Sequence, residues 1–164
     1  MQDCASATPV PSCAMPFPAI TAALSESNPA EATLLAALDH FGCQTGTVHL
    51  LRDGVLRLAA HVNIPAPLLP IIETVPIGKG IAGLAAERRE AVSLCNLQTD
   101  TSGQARPAAK MSGMEGSVAV PMLVNGDLRG VLGIAKATAY DWSDAEKSAL
   151  LVIGEALGSA LQSS

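Results

Sequence analysis

The sequence predicts an α+β fold, an antiparallel sheet flanked by helices, and three observations carry that prediction. Two pairs of strand-like runs are each joined by a tight turn, Asp53-Gly54 in the first and Asn125-Gly126-Asp127 in the second. Turns of this kind join neighbouring antiparallel strands, whereas parallel strands need long crossovers. Helix-start signals bracket the pairs at Asn28-Pro29 and Ser143-Asp144. Between the pairs lies a glycine-dense turn, residues 75–83, reading VPIGKGIAG.

The first helix signal is Asn28-Pro29-Ala30-Glu31: Asn caps, Pro suits the first helical position, and Glu31 occupies a capping-box place. Leu34, Leu35, Leu38 and Phe41 then recur at helical spacing, and Gly42 is the stop. A weaker helix over 19–24 precedes it. Strands follow over 45–51 and 55–62. In the first, Thr47, His49 and Leu51 alternate with Val48 and Leu50, which predicts one face in the core and one half-exposed. Pro65, Pro67 and Pro70 break up the next stretch, leaving a short helix around 68–73. A third strand falls at 91–95, then a long polar loop over 96–113. Loops of this length are often functional. The second hairpin spans 117–124 and 128–136, and Pro121 places an edge or a bulge in its first arm.

Ser143-Asp144-Ala145-Glu146 is a capping box opening a helix that runs to about Gln162. Ala145, Ala149, Val152, Ile153, Ala156 and Ala160 form a stripe expected to face the sheet. Leu150, Leu157 and Leu161 lie on another arc, which predicts a homodimer through this helix.

The 164 residues fit one domain with a real core. Residues 1–18 read as a Pro-rich disordered lead, and 19–164 as the domain. The net charge is −5 and the aromatics are Phe17, Phe41, Tyr140 and Trp142 alone, so neither nucleic acid nor an anionic membrane is expected as a partner. No apolar run approaches a bilayer span, and the first residues make a poor signal peptide. Cys4, Cys13, Cys43 and Cys95 are widely spaced and contain no C-x-x-C, which is read as reduced thiols in a cytoplasmic protein.

Residues 78–83 match the G-x-G-x-x-G dinucleotide fingerprint. That fingerprint requires a buried strand before it and a parallel βαβ unit around it; Pro76 and the hairpins deny both. What remains is a tight turn opening a helix, or such a turn holding a phosphate or carboxylate with its amides and Lys79. His40, His49 and His61 show no metal spacing and read as ordinary surface or strand histidines. Cys95 reads either as a small buried hydrophobe or as a redox-sensitive or ligand-contacting thiol.

Several segments together, in order and spacing, resemble the GAF domain family, a small-molecule-sensing relative of the PAS fold. They are Thr47-Val48-His49-Leu50-Leu51 with Leu56-Arg57-Leu58-Ala59-Ala60, then Ile77-Gly78-Lys79-Gly80-Ile81-Ala82-Gly83. Val118-Ala119-Val120-Pro121-Met122 leading to Gly130-Val131-Leu132-Gly133-Ile134, and Trp142-Ser143-Asp144-Ala145-Glu146, complete the set. The resemblance covers about 19–162. It implies a pocket between the sheet, the 78–83 helix start and the 96–113 loop, but not a ligand or cofactor, since GAF domains bind cyclic nucleotides, haem, bilins or amino-acid derivatives. Candidate pocket residues are Gly78, Lys79, Gly80, Cys95, Asn96, Arg106, Lys110 and Met114. Arg106 or Lys110 would pair with an acidic ligand group, and Met114 would add adaptable apolar contact.

One GAF branch is catalytic, the reductase of free methionine-(R)-sulfoxide, with cysteines in the same turn and the following loop. The resemblance puts those positions on Ala82 and near Ala105. Thiolate attack on sulfur and resolution by a second thiol have no residues there. The late Asn, Lys, Phe, Asp and Glu of cyclic-nucleotide GAF domains are also missing, as is a loop cysteine for a bilin. The expectation is a stand-alone, non-catalytic sensor that binds an unidentified small molecule and signals to a separate protein. The alternatives are a thiol-dependent oxidoreductase or redox sensor using Cys95, and a ligand-free dimerisation module.

Overall fold

A computed structural model describes residues 18–99 and 113–162. The described chain runs α1 (Pro18–Ala23), α2 (Pro29–Phe41), β1 (Thr45–Arg52), β2 (Val55–Val62), a 3-10 turn (Ala66–Leu68) continuing into α3 (Leu69–Ile72), and β3 (Thr74–Pro76). It continues with α4 (Gly80–Arg88), β4 (Val92–Leu94), β5 (Gly116–Val124), β6 (Asp127–Lys136) and α5 (Asp144–Gln162). Residues 1–17 of the lead, and 100–112 of the long loop with Arg106 and Lys110, lie outside the described residues.

The strands form one six-stranded antiparallel sheet in the order β3-β2-β1-β6-β5-β4. The α+β prediction therefore holds, and the two hairpins lie side by side through β1 and β6. Asp53-Gly54 and Asn125-Gly126 all sit at positive φ, the backbone that two-residue hairpin turns demand. β3 escapes sequence reasoning because three residues cannot display a period of two, and its terminal Pro76 is tolerated only because β3 is an edge. Pro121 behaves as expected. β4 pairs only with Ser117–Ala119 of β5, so no neighbour on that side needs a donor from Pro121, and a bulge follows between Met122 and Leu123.

One core lies between the sheet and helices α1, α2 and α5, with Ile20, Leu34, Val48, Val120, Met122 and Leu132 among its fully buried members. A smaller core lies on the opposite face under α4, around Leu56, Val75, Ile81, Ala85 and Val131. The caps act as their sequences indicate. Asn28 Oδ1 accepts from the Glu31 N–H, and Gly42 ends α2 in a left-handed conformation. Ser143 and Glu146 bond reciprocally at 3.1 and 2.9 Å to open α5. Glu146 also accepts from the Tyr140 hydroxyl at 2.6 Å, tying the cap to the preceding segment.

The face assigned to α5 needs correction. Leu150 and Leu157 are 1% and 0% exposed and join Ile153 in the core, whereas Val152 is 40% exposed. Leu161 packs partly against the same core. The buried positions 150, 153, 154, 157 and 158 follow the i, i+3, i+4, i+7, i+8 rule. Gly154 and Gly158 sit close to β5, with Met122 and Val124 side chains as neighbours, and so rotate the leucines inward. The stripe of alanines was a misleading guide because small residues tolerate either face. The leucines that motivated a homodimer are therefore covered within one chain. Leu157→Ala is expected to cost about 2–5 kcal/mol in urea unfolding, and Val152→Ala about 0.5 kcal/mol or less. Equal effects would place α5 in a different rotation.

Candidate ligand-binding site

The sheet face under α4 carries small residues where its three central strands meet. Thr47 of β1 and Ala119 of β5 both stand opposite Gly133 of β6, and Thr45 and Ser117 both stand opposite Ala135. Their neighbours in sequence, Val48, Val118, Leu132 and Ile134, point into the helix-side core. Strand alternation thus puts large side chains on one face and small ones on the other. The consequence is a cavity of about 170 Å³, floored by that small-residue ladder. Ile64, Leu68, Ile72 and Val75 wall it on one side and Leu97 on another. The face expected to be half-exposed is instead roofed by α4.

The roof is the glycine turn. Lys79, Gly80, Ile81 and Ala82 line the cavity. The Gly78 N–H donates to the Gly83 carbonyl at 2.8 Å and the Lys79 N–H to that of Pro76 at 3.2 Å, folding the turn onto the first turn of α4. A Cβ on Gly83 would stand 2.5 Å from the Pro76 carbonyl oxygen, so only glycine permits this closure. Lys79 caps α4 without a side-chain hydrogen bond, and the Gly83 N–H is already bonded to Lys79 O. The N–H groups of Gly80, Ile81 and Ala82 precede the first intrahelical partner, and their residues face the cavity.

His49 enters the floor from β1 and is 3% exposed. Two features place it. The β1–β2 register skips Ala59 between the pairs Val48–Ala60 and His49–Leu58, a bulge that re-aims the strand. On the other side β6 approaches so closely that a Cβ on Gly130 would lie 2.1 Å from the His49 carbonyl oxygen. Nε2 lies 2.8 Å from the Ile72 carbonyl oxygen. A carbonyl only accepts, so Nε2 carries the proton and neutral His49 presents a bare lone pair at Nδ1. Nδ1 is buried and has no hydrogen-bond partner among the described residues. Burial lowers the His49 pKa from 6.5, with the Ile72 hydrogen bond opposing it, so the ring is neutral at neutral pH.

Of the residues expected in the pocket, Lys79 and Gly80 line the cavity and Gly78 stands behind the turn, against Glu87. Asn96 accepts from the Gln98 N–H at 2.9 Å, and the Met114 carbonyl accepts from Gln98 Nε2 at 2.8 Å. With the Leu97 N–H donating to Glu115 O at 2.7 Å, these two residues pin the stem of the long loop. Cys95 is exposed rather than a buried hydrophobe, and it does not line the cavity. Cys43, the other free thiol among the described residues, has a pKa pushed up to about 11 by burial, partly opposed by Lys136, and stays protonated. The residues that sequence reasoning missed are His49, Thr45, Thr47, Ser117 and Gly133. Their signal was the alternation of small or polar residues with large aliphatic ones along three strands. No group of three or more His, Cys, Asp or Glu among the described residues is placed to hold a metal ion. No described helix is long and apolar enough to cross a membrane.

A family model for the GAF domain matches residues 23–162. The chain belongs to the GAF domain family. Solved structures agree on the fold. The GAF domain of a phosphoenolpyruvate-protein phosphotransferase from Coxiella burnetii has a TM-score of 0.75 at 17% identity, covering 88% of this chain and 89% of that one. The free methionine-R-sulfoxide reductase of Neisseria meningitidis, in complex with its substrate, has a TM-score of 0.71 at 16% identity, covering 87% and 83%. The nlh2 GAF domain of A. aeolicus in an inactive state has a TM-score of 0.66 at 20% identity, covering 87% and 91%. At such identities the likeness establishes the GAF fold alone. No curated protein matches the chain in sequence.

Burial of neutral His49 makes stability pH-dependent in a defined sense. Its folded pKa lies below the unfolded 6.5, so the unfolded chain binds the extra proton first. The stability His49 contributes is complete above pH 6.5 and declines as pH falls from there through the lower folded value. Urea midpoints of wild type minus those of His49→Gln should decline in that window and level off below it. A difference that is flat with pH would show that His49 titrates normally.

Proposed function

We propose that this GAF domain is a non-catalytic sensor that binds a small molecule in the cavity between the central strands and α4. The observation that carries the reading is the combination of an apolar recess with a buried histidine in its floor whose Nδ1 lacks a partner among the described residues. Ligand sites are concave, mostly apolar, and hold a few placed polar groups. The cavity of about 170 Å³ is well above the ~10–15 Å³ of the same measure that one water needs. That leaves room for a small organic molecule.

The reductase reading is less well supported. The turn position that resembles the reductase's cysteine is Ala82, which lines the cavity and offers no thiol. Cys95, the alternative nucleophile, does not line the cavity. A thioredoxin-coupled assay with free methionine sulfoxide is expected to show no turnover; rates lost in Cys95→Ser would reverse this assignment.

Gly133→Val provides the direct test of the sensor. A Cβ at Gly133 meets only Thr47 Oγ1 at 3.4 Å and the Val118 carbonyl at 3.8 Å, ordinary contact, so valine fits the strand and fills the floor. Native mass spectrometry of the freshly purified chain should reveal a retained small mass, and Gly133→Val should release it while remaining folded. A wild type that carries no extra mass and binds no small-molecule probe would count against sensing.

A further inference from the structure

One wall of the cavity is held differently from the rest. The segment from Ile64 to Ile72 leaves the end of β2, borders the cavity and returns to the sheet at β3. Its backbone bonds are local, the Leu68 N–H donating to Pro65 O and the Glu73 N–H to Leu69 O, both at 2.9 Å. At its two ends Asn63 Nδ2 donates to Gln44 O and the Leu58 N–H donates to Glu73 O, each at 2.9 Å. Between those ends one hydrogen bond among the described residues ties it to the sheet, from His49 Nε2 to the Ile72 carbonyl. None of the four residues of α3 is buried, and Leu68 is the segment's one buried apolar anchor. A segment with so few buried contacts opens more easily than the sheet it lies on.

The tether is neutral by necessity. The Ile72 carbonyl takes the Nε2 proton, and Nδ1 is buried with no partner among the described residues. A second proton would place a charge and an unmatched N–H at an atom closed to water. His49 stands opposite Leu58 of β2 and Val131 of β6, and shares the cavity lining with Val75 of β3 and Ile81 of α4. No charged side chain of these elements balances the ring. Arg52 of β1, Arg57 and His61 of β2, Glu73 after α3, Lys79 before α4, and Glu87 and Arg88 on it are all exposed. On β6, Arg129 lies against Gly158 of α5 and Lys136 over the Tyr140 ring. Burial therefore dominates and lowers the His49 pKa, with only the Ile72 bond opposing it. Once the segment lifts, water reaches the ring, which then takes its proton near the ordinary 6.5.

We propose that segment 64–72 is a strap fastened over the cavity by neutral His49, and that acid unfastens it, so that the cavity holds its ligand at neutral pH and releases it as pH falls. The proposal rests on the cavity being the sensor's ligand site, and adds what regulates it. The closed ring resists a proton and the open ring accepts one, so protonation favours opening. Opening grows as pH falls through 6.5 and levels off below the closed ring's own lower value.

The test uses the full chain and methyl relaxation-dispersion NMR, which reads the population of a minor open state. Between pH 7.5 and 5.5 the open population sensed by the Leu68 and Ile72 methyls should rise by up to about tenfold. The methyls of Leu34 and Ile153, in the core on the other face of the sheet, should stay flat. His49→Gln keeps a donor for the Ile72 carbonyl but does not titrate, so its Leu68 and Ile72 methyls should lose the pH dependence. If that variant does not fold, the contrast between the two faces in the wild type decides. An open population that is flat with pH would overturn the proposal. So would one that rises equally in both cores, which is global unfolding, or one that rises unchanged in His49→Gln. Native mass spectrometry from solutions at pH 7.5 and 5.5 reads occupancy: the retained small mass should be present at the first and lost at the second. A mass kept equally at both would overturn the regulatory role. Acid opening with no mass held at either pH supports the strap and removes the sensor reading.

Discussion

The pairing of β1 with β6 is the constraint on which the rest depends. It joins two hairpins that are far apart in the chain, from Thr45 opposite Ala135 to Leu50 opposite Gly130. The contact tolerates no side chain at one point, since Gly130 faces the His49 carbonyl oxygen at a distance no Cβ could occupy. Once this seam is closed, the strand period dictates both faces at once. Even-numbered residues of β1 turn toward α2 and α5, and odd-numbered ones toward α4. A slip of one residue would send Val48 and Leu50 into the cavity and Thr47 and His49 into the core.

The cavity is a cost that this seam makes possible. The small side chains of the ladder leave a recess of about 170 Å³ where larger ones would gain packing contact. Packing alone would favour larger residues on the ladder, and the geometry at Gly133 leaves room for one. His49 compounds the cost, because its Nδ1 is dehydrated with no hydrogen bond from the described residues in return. Two independent deficits, of volume and of polar satisfaction, meet in one place. A ligand offsets both together, which is the physical reason to read the void as a site rather than a packing flaw.

Much of the fold was legible because it is written locally. The hairpin turns, the Ser143–Glu146 capping box, the Asn28 cap and the Gly42 stop each act over a few residues, and each appears where the chain signals it. The face of α5 was not legible. Its alanines and leucines are both apolar, and only the approach of Gly154 and Gly158 to β5 decides which of them turn inward. The site was half legible. The glycine turn stood out by composition, and Lys79 and Gly80 do border the cavity. His49 did not stand out, because a lone histidine in a strand carries no pattern of its own. Its role arises from a bulge opposite Ala59, a carbonyl at Ile72 and a glycine at position 130, three partners far from one another in sequence. Asn96 and Met114 carry a second role that composition does not announce: polar and flexible residues beside a pocket can also close a loop stem, as the Gln98 bonds show here.

The likeness to a substrate-bound sulfoxide reductase and to a phosphotransferase GAF domain shows how little chemistry the fold itself carries. A sheet, a roofing helix and a cavity between them specify where a molecule can sit. What happens to it depends on the side chains that reach it. In this chain the roof offers backbone N–H groups, a lysine and an alanine, and the floor offers hydroxyls and one neutral imidazole. None of the described lining residues is a cysteine or a carboxylate, so a thiol or acid–base step on a molecule held there would have to draw on residues beyond that lining.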